Sequence, residues 1–131
     1  FESPSCQYCE QMRADIASNE VLKDRLMNEV SSYALGVQAK TMHAIEHNGE
    51  FMNAPADMLA DIYGVQGTPT LIFTDKEGQA VIVVPGYMPP NQFLTTLDFM
   101  KEEKWKGLGR KDGQVYEALK SYYIEKGILK G

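Results

Sequence analysis

Two cysteines separated by two residues are the first feature of this sequence that points to chemistry. Cys6 and Cys9 are the only cysteines among the 131 residues, so any disulfide within the chain must join these two. A disulfide that closes so short a loop adds little stability. The pair is therefore expected to take part in a reaction or to bind a metal, rather than to staple the fold.

The spacing of apolar residues after the pair predicts how the cysteines are presented. Met12 and Ile16 continue the helical spacing from Cys9, which predicts a helix over residues 6–18 that begins at the cysteines. Unpaired N–H groups and the helix dipole favour a negative charge at such an end, so we expect the Cys6 thiolate to be stabilised there. Cys6 would attack a substrate disulfide, and Cys9, one turn further on, would resolve the mixed disulfide.

A metal site is the alternative use of the two cysteines. His43 and His47 form an H-x3-H pattern, but 33 residues (10–42) separate it from Cys9. Finger-type zinc sites leave only about 12–15 residues between the two pairs of ligands. The two histidines also complete the H-x-x-E-H pattern of some metalloproteases, in a segment where no long helix is predicted. We expect solvated histidines and no metal, and we keep a metal-binding or metal-delivery module using Cys6, Cys9 and either histidine as the alternative.

The composition is that of one globular domain. With 131 residues, 44% of them hydrophobic and 24% charged, the chain is long enough for a single core. The formal net charge of −5 argues against a nucleic-acid-binding protein, which normally presents a basic face to phosphates. No apolar run approaches the about 18–20 residues that would span a bilayer. The sequence begins with Phe1 rather than Met and contains no leader, so we expect that a leader has been removed.

Helices and strands are predicted to alternate along the chain. Residues 41–53, which contain both histidines, are expected to form a loop with at most a short helix, and residues 75–78 are expected to form a turn with Gly at its end. The predicted helices cover residues 6–18, 20–29, 55–63, 91–103 and 114–126, and the predicted strands cover residues 33–37, 71–73 and 80–84. Only the fourth predicted helix is expected to face inward with a whole set of residues, Phe93, Leu94, Leu97 and Met100, while Met12, Met58 and Met100 are expected on core faces. The other helices are marked by apolar residues with helical spacing: Val21, Leu22, Leu26 and Val30 on one side of the second; Met58, Leu59, Ile62 and Tyr63 on the third; and Val115, Leu119, Tyr122 and Tyr123 on the last.

Pro69 precedes an apolar strand and gains its meaning from what surrounds it. Proline is tolerated at the first residue of a strand, so its position alone says little. Here, however, a C-x-x-C helix is predicted upstream, and a hairpin of the strands over residues 71–73 and 80–84, followed by a helix, is predicted downstream. Because of this combination, the position of Pro69 is evidence about the fold, and it can be compared with known families.

Four motifs together carry a resemblance to a known family. They are Ser-Pro-Ser-Cys-Gln-Tyr-Cys at residues 3–9, Gly-Thr-Pro-Thr-Leu-Ile-Phe at residues 67–73, Asp-Lys-Glu-Gly at residues 75–78, and Gly86-Tyr87. In this order they resemble the thioredoxin superfamily. More narrowly, the sequence is similar over residues 1–101 to the thioredoxin-related proteins of the bacterial cell envelope, the SoxW-like and Dsb-like group.

The resemblance implies an α/β thioredoxin-like fold with a central mixed β-sheet flanked by helices. It implies that Thr68–Pro69 is a cis peptide bond beside the cysteines, and that the backbone of Thr68 pairs with the substrate strand. Gln7 and Tyr8 would tune the reduction potential of the pair. A Tyr before the second cysteine (Tyr8) and a Thr before the proline (Thr68) are similar to what the disulfide reductase and isomerase branch of the family carries at these positions. A DsbA-type oxidant is the alternative.

The resemblance also implies the surroundings in which the pair works. It implies protein thiol and disulfide substrates, a redox partner protein that recycles the C-x-x-C pair, and no bound cofactor. It places the protein in the bacterial periplasm or cell envelope. We expect a monomer, with no membrane span and no nucleic-acid partner. A non-catalytic interaction domain of the same fold is a further alternative, which the presence of both Cys6 and Cys9 argues against.

The sequence departs from the family at both ends. The family places a central strand immediately before the C-x-x-C motif, and only Phe1 and Glu2 remain of it here, so we expect that upstream residues are missing or that another segment replaces them. We expect a thioredoxin-like domain over residues 1–103. We expect a helical extension over residues 104–131 that packs on this domain.

Overall fold

The structure is a computed structural model that describes residues 1–47, 50–110 and 112–129. No helix in these ranges is long and apolar enough to cross a membrane. The chain divides into two compact units, Phe1–Tyr87 and Met88–Gly131. The domain boundary that we expect after residue 103 stays a prediction. The elements are α1 (Gln7–Ser18), α2 (Glu20–Asn28), β1 (Met42–His47), β2 (Glu50–Pro55), α3 (Ala56–Ile62), β3 (Leu71–Thr74), β4 (Ala80–Val84), α4 (Pro90–Lys101) and α5 (Gln114–Glu125).

Helices α1 and α2 follow one another with a single residue between them. Helix α1 begins directly after Cys6, its N-cap, which confirms the predicted helix at the cysteine pair. Asn19 ends α1 and caps α2, because its side chain accepts a hydrogen bond of 3.0 Å from the amide of Leu22. Of the apolar residues on one side of the predicted helix, Val21 and Val30 are exposed. Leu22 is the buried residue of this nine-residue helix.

Phe1 and Glu2 lie between two other segments of the chain and form hydrogen bonds with both. On one side, the Glu2 amide donates to the Leu35 carbonyl at 2.8 Å, and the Val37 amide donates to the Glu2 carbonyl at 2.9 Å. On the other side, the Phe1 backbone nitrogen donates to the Thr70 carbonyl at 2.7 Å, and the Thr70 amide donates to the Phe1 carbonyl at 3.1 Å. Two residues therefore connect the segment after α2 to the start of β3.

The predicted strand over residues 33–37 is wrong. Within this range only Gly36 takes part in a β-bridge, an isolated parallel bridge to Glu2. The pairing cannot extend along the chain after Glu2, because Pro4 has no N–H with which to continue a ladder. Beside this bridge, the described residues form two antiparallel two-stranded sheets, β1–β2 and β3–β4, rather than one continuous central sheet.

Strands β1 and β2 form a hairpin where we expected a loop over residues 41–53, so that prediction is wrong. The two strands pair antiparallel, with Ile45 opposite Met52. Both of these side chains pack on the core, whereas Met42 and Phe51 are exposed. The alternation of buried and exposed positions is that of a strand, but it is hidden in the sequence because apolar residues occupy both faces.

The core of the first unit forms where β2 passes into α3. Leu59 is fully buried on α3, whereas Met58, which we expected on a core face, and Ile62 are exposed. Small alanines take their place, since Ala56 and Ala60 are buried on the same helix. The core cluster consists of Leu35, Ala54, Ala56 and Leu59, with Phe1, Ala39, Ile45 and Met52 packed against it.

The hairpin of β3 and β4 confirms the prediction for this part of the chain. One oxygen of the Asp75 carboxylate accepts hydrogen bonds from the amides of Glu77 (2.9 Å) and Gln79 (3.0 Å) in the turn. Gly78 has a φ of 79°, a left-handed conformation that favours glycine. The Tyr63 hydroxyl donates to the Gly78 carbonyl at 2.6 Å, so the turn is also held by the end of α3.

The second unit contains α4 and α5. Thr96 and Phe99 are fully buried on α4, whereas Leu94 and Met100, which we expected to face inward, are half-buried. The Thr96 hydroxyl forms a hydrogen bond with the Tyr123 hydroxyl, so a buried polar group has a partner. The predicted last helix is present as α5, and the four apolar residues that mark it in the sequence are buried: Val115, Leu119, Tyr122 and Tyr123.

Replacing Leu59 with alanine should destabilise the protein. The side chain is 0% exposed, and removing it leaves a cavity at a cost of about 2–5 kcal/mol. Met58→Ala is the matched control on the same helix, because Met58 is 49% exposed and its loss should change stability by only about 0.5 kcal/mol. Urea unfolding followed by circular dichroism measures both variants. Equal effects of the two substitutions would contradict the burial of Leu59 and the exposure of Met58.

Candidate active site

Cys6 and Cys9 are joined by a disulfide at the start of α1. Their Cα atoms are 5.2 Å apart, which lies within the usual range for disulfides. The two residues differ in exposure, since Cys9 is only 5% exposed and Cys6 is half-buried. The sulfur of Cys6 is therefore the one that a second molecule reaches first.

The sulfur of Cys6 lies at the positive end of α1. The amide of Cys9 donates a hydrogen bond of 3.1 Å to Cys6 Sγ, so this side chain acts as the N-cap of the helix. Hydrogen bonds to a charged acceptor are stronger than those to a neutral one, and the helix dipole also favours an anion at this end. The geometry thus favours a thiolate on Cys6 when the disulfide is reduced.

Ser5 makes the sharp turn that leads into the helix. Its φ of 59° lies in the left-handed region, which residues other than glycine occupy infrequently. Strain of this kind is found where the surrounding structure fixes the backbone. Here the preceding residues are held by the pairing of Glu2, and the following residue is already the cap of α1.

Thr68 and Pro69 are connected to the segment that precedes the cysteines. The peptide bond between them is cis. Thr68 Oγ1 and Ser3 Oγ form a hydrogen bond of 2.6 Å, and Thr70 Oγ1 donates to the Gly67 carbonyl at 2.6 Å. Pro69 is buried and Thr68 is half-buried. The segment before the C-x-x-C motif and the loop that carries Thr68 are therefore linked by a direct side-chain hydrogen bond.

The two residues between the cysteines, Gln7 and Tyr8, are exposed. The Tyr8 ring lies beside that of Tyr87, with 6.1 Å between the ring centroids. The Tyr87 hydroxyl donates to Asp15 Oδ2, while Asp15 Oδ1 accepts from Gln11 Nε2 at 2.9 Å. The hydrogen bond to the Asp15 carboxylate, together with partial burial, raises the pKa of the Tyr87 hydroxyl. Tyr87 is thus held at two points along α1.

Three residues of this arrangement were not predicted as site residues: Ser3, Asp15 and Tyr87. Helical spacing offers a signal for one of them, because Asp15 follows Tyr8 by seven residues and so lies on the same face of α1. The contacts of Ser3 and Tyr87 span 65 and 72 residues of sequence. The spacing of residues along one chain contains no signal for contacts of that kind.

The described residues add no ligands to the two cysteines for a metal site. Among them, no three His, Cys, Asp or Glu side chains are grouped so that they could hold a metal ion. His43 is half-buried, with its ring edge-on to Tyr33 at 6.3 Å between centroids. The side chain of His47, the other histidine of the metal alternative, lies outside the described part of the chain.

Comparison with known proteins identifies the family. Residues 1–101 match the family model described as a thioredoxin-like domain. The chain belongs to the thioredoxin-like domain family. The matched region of this thioredoxin-like domain includes both cysteines as well as Thr68 and Pro69. No curated protein matches the sequence.

A solved structure is also similar to this thioredoxin-like domain protein. It is that of a thioredoxin-fold protein from Helicobacter pylori, with a TM-score of 0.84 and 30% sequence identity over 96% of this chain and 80% of that chain. Membership of the thioredoxin superfamily and the thioredoxin-like fold are therefore confirmed. The fold and the disulfide-bonded cysteine pair support a redox-type function. The narrower SoxW-like or Dsb-like grouping stays a prediction.

When the pair is reduced, Cys6 should be alkylated several-fold faster than Cys9 by iodoacetamide at neutral pH. Cys6 is the more exposed residue and its sulfur accepts the Cys9 amide, both of which favour reaction as a thiolate. Peptide mapping by mass spectrometry after short reaction times measures the order. Faster alkylation of Cys9 in the folded protein would contradict the arrangement, and unfolding in urea should bring the two rates close together.

Proposed function

We propose that this thioredoxin-like domain is a thiol–disulfide oxidoreductase that exchanges dithiol and disulfide with protein substrates. The proposal is carried by the hydrogen bond of 3.1 Å from the Cys9 amide to Cys6 Sγ. This contact puts a half-exposed sulfur where a thiolate is stabilised. A second, buried sulfur lies within disulfide reach of it.

The exchange follows from the different positions of the two sulfurs. In the reduced protein the Cys6 thiolate attacks one sulfur of a substrate disulfide, so the substrate S–S bond breaks, a Cys6–substrate disulfide forms, and the displaced sulfur leaves as a thiolate. The Cys9 thiol loses its proton to solvent and attacks the Cys6 sulfur, which releases the second substrate thiolate. Both substrate thiolates take protons from water. Two electrons have then passed to the substrate, and the Cys6–Cys9 disulfide remains.

Thr68 is the proposed contact for the substrate backbone. Within the part of the chain that the structure describes, the Thr68 amide and carbonyl take part in no hydrogen bond, and its only hydrogen bond runs from the side chain to Ser3. Backbone groups at a half-buried position gain from a partner, and an extended substrate chain supplies both a donor and an acceptor. The hydrogen bond to Ser3 would hold Thr68 ready for that pairing.

The direction of electron flow that we propose is that of a reductase or isomerase. Its support is the resemblance given by Tyr8 before the second cysteine and Thr68 before the proline. In this direction a redox partner protein must return two electrons to the Cys6–Cys9 disulfide after each cycle. By the same resemblance we propose a bacterial periplasmic or envelope location. A DsbA-type oxidant would run the same steps in reverse.

Trapping the mixed disulfide tests the proposed roles. Wild-type protein should catalyse reduction of a peptide disulfide by dithiothreitol, and Cys6→Ser should lower the rate to that of dithiothreitol alone, because the attacking sulfur is lost. Cys9→Ser should instead accumulate a covalent adduct of Cys6 with one half of the peptide, which intact-protein mass spectrometry detects. An adduct on Cys9 of the Cys6→Ser variant, with none in the Cys9→Ser variant, would reverse the roles. No catalysis by the wild type would refute the proposal.

The reduction potential of the pair tests the proposed direction. Equilibration with glutathione and dithiothreitol buffers should give a value near or below about −200 mV, the range of thioredoxin and the glutaredoxins. A value near about −120 mV would assign the protein to the oxidants. Metal should be assayed in the same sample. Stoichiometric zinc or copper on a pair that never forms a disulfide would replace the redox function with the metal alternative.

A further inference from the structure

We infer that Tyr87 is a positioning residue for Tyr8: Asp15 anchors Tyr87, and Tyr87 fixes the exposed Tyr8 ring. The fixed Tyr8 ring then favours protein substrates that carry an aromatic side chain beside the reacting cysteine. The inference rests on the proposed exchange reaction and extends it to the choice of substrate. It starts from two contacts that link three side chains: the Asp15 carboxylate binds the Tyr87 hydroxyl, and the Tyr87 ring lies beside the ring of Tyr8.

Tyr87 reaches two points on the same face of α1. Tyr8 and Asp15 are seven residues apart, which is about two helical turns or 10 Å along the axis. The hydroxyl of Tyr87 binds Asp15 at one end of this distance, and its ring packs beside Tyr8 at the other. A side chain held at both ends has little freedom to change rotamer, so Tyr87 presents one fixed ring surface to Tyr8.

The Asp15 carboxylate that anchors Tyr87 is itself held by a second hydrogen bond. Asp15 is half-buried, and both of its carboxylate oxygens have partners, one in the Tyr87 hydroxyl and the other in Gln11 Nε2 at 2.9 Å. The same hydrogen bond raises the pKa of Tyr87, so the hydroxyl keeps its proton and remains a donor at neutral pH. The contact therefore persists under the conditions in which thiol exchange takes place.

Of these three side chains, Tyr8 is the one that a substrate would touch. It lies between the two cysteines, and 62% of its surface is exposed. The centroid distance of 6.1 Å to Tyr87 is within the range of favourable aromatic pairs, and such a pair leaves part of the Tyr8 ring open to a third group. A polypeptide joined to Cys6 is attached only two residues from this exposed ring. Without Tyr87, the exposed Tyr8 side chain would sample several rotamers. Substrate binding would then have to offset the conformational entropy that is lost when Tyr8 is fixed in one of them.

Two peptide disulfides that differ only in Phe or Ala beside the reacting cysteine provide the test. Wild-type protein should reduce the Phe peptide with a kcat/KM about two- to tenfold higher, the size of an aromatic contact. Tyr87→Phe keeps the ring and loses the hydroxyl, and it should remove this preference mainly by raising KM for the Phe peptide. Asp15→Ala should do the same, and the double variant should lose no more than either single variant, because both changes break one contact.

Two further variants separate positioning from a merely structural role. Asp15→Asn keeps an acceptor oxygen for the Tyr87 hydroxyl and should restore the preference that Asp15→Ala removes. Tyr33→Phe removes a hydroxyl from an exposed tyrosine whose contacts are with Ala44 and His43, and it should keep the wild-type preference.

The outcomes distinguish this inference from the proposed function. Equal rates for both peptides in the wild type would overturn the inference and leave the exchange reaction standing. An unchanged preference in Tyr87→Phe and Asp15→Ala, or an equal loss for both peptides, would also overturn it. If the wild type reduces neither peptide, the proposed function fails and the inference fails with it.

Discussion

Backbone pairing at Phe1 and Glu2 is the constraint on which the arrangement of the site depends. Two hydrogen bonds attach this short segment to residues 35–37, and two attach it to Thr70. The cysteine helix starts a few residues after Glu2, and Thr68 lies two residues before Thr70. The same pairing thus fixes one end of the segment that leads into the cysteine helix and one end of the loop that carries Thr68. Each such bond contributes only about 0.5–1.5 kcal/mol, but leaving a buried backbone group unpaired costs about 1–3 kcal/mol, so neither side is released easily.

The local chemistry of the cysteines follows from where α1 begins. Since the helix starts at Gln7, Cys6 is left as the cap, and its sulfur takes the place that a Ser or Asp oxygen occupies in other helices. Cys9 falls one turn inside the helix and faces the core beside Met12. Helix geometry therefore places two sulfurs that are only three residues apart in different positions, and the core that Cys9 faces makes them differ in exposure.

This locality explains which parts of the fold could be predicted from the sequence. The start of α1, the hairpin around Gly78 and the helix α5 depend on neighbouring residues, and all three were predicted. The hairpin of β1 and β2 was missed, although the dipeptide Asn48-Gly49 in its sequence is a strong signal for a tight turn between strands. Exposed Phe51 and Met42 obscured the alternation on which a strand prediction relies.

The site could be predicted only where its residues lie in one element or follow a family motif. Cys6, Cys9 and Tyr8 lie at one helix end, and Thr68 has a role that its motif implies. Ser3 and Tyr87 also stand in motifs, but what they do in the site depends on contacts across the fold. Such contacts differ in kind from the backbone frame. A single side-chain hydrogen bond contributes about 1 kcal/mol, which is too little to decide the fold but enough to bias a rotamer roughly fivefold. The frame therefore sets where the two loops lie, and side-chain contacts such as Ser3–Thr68 and Asp15–Tyr87 set what a substrate meets when it reaches them.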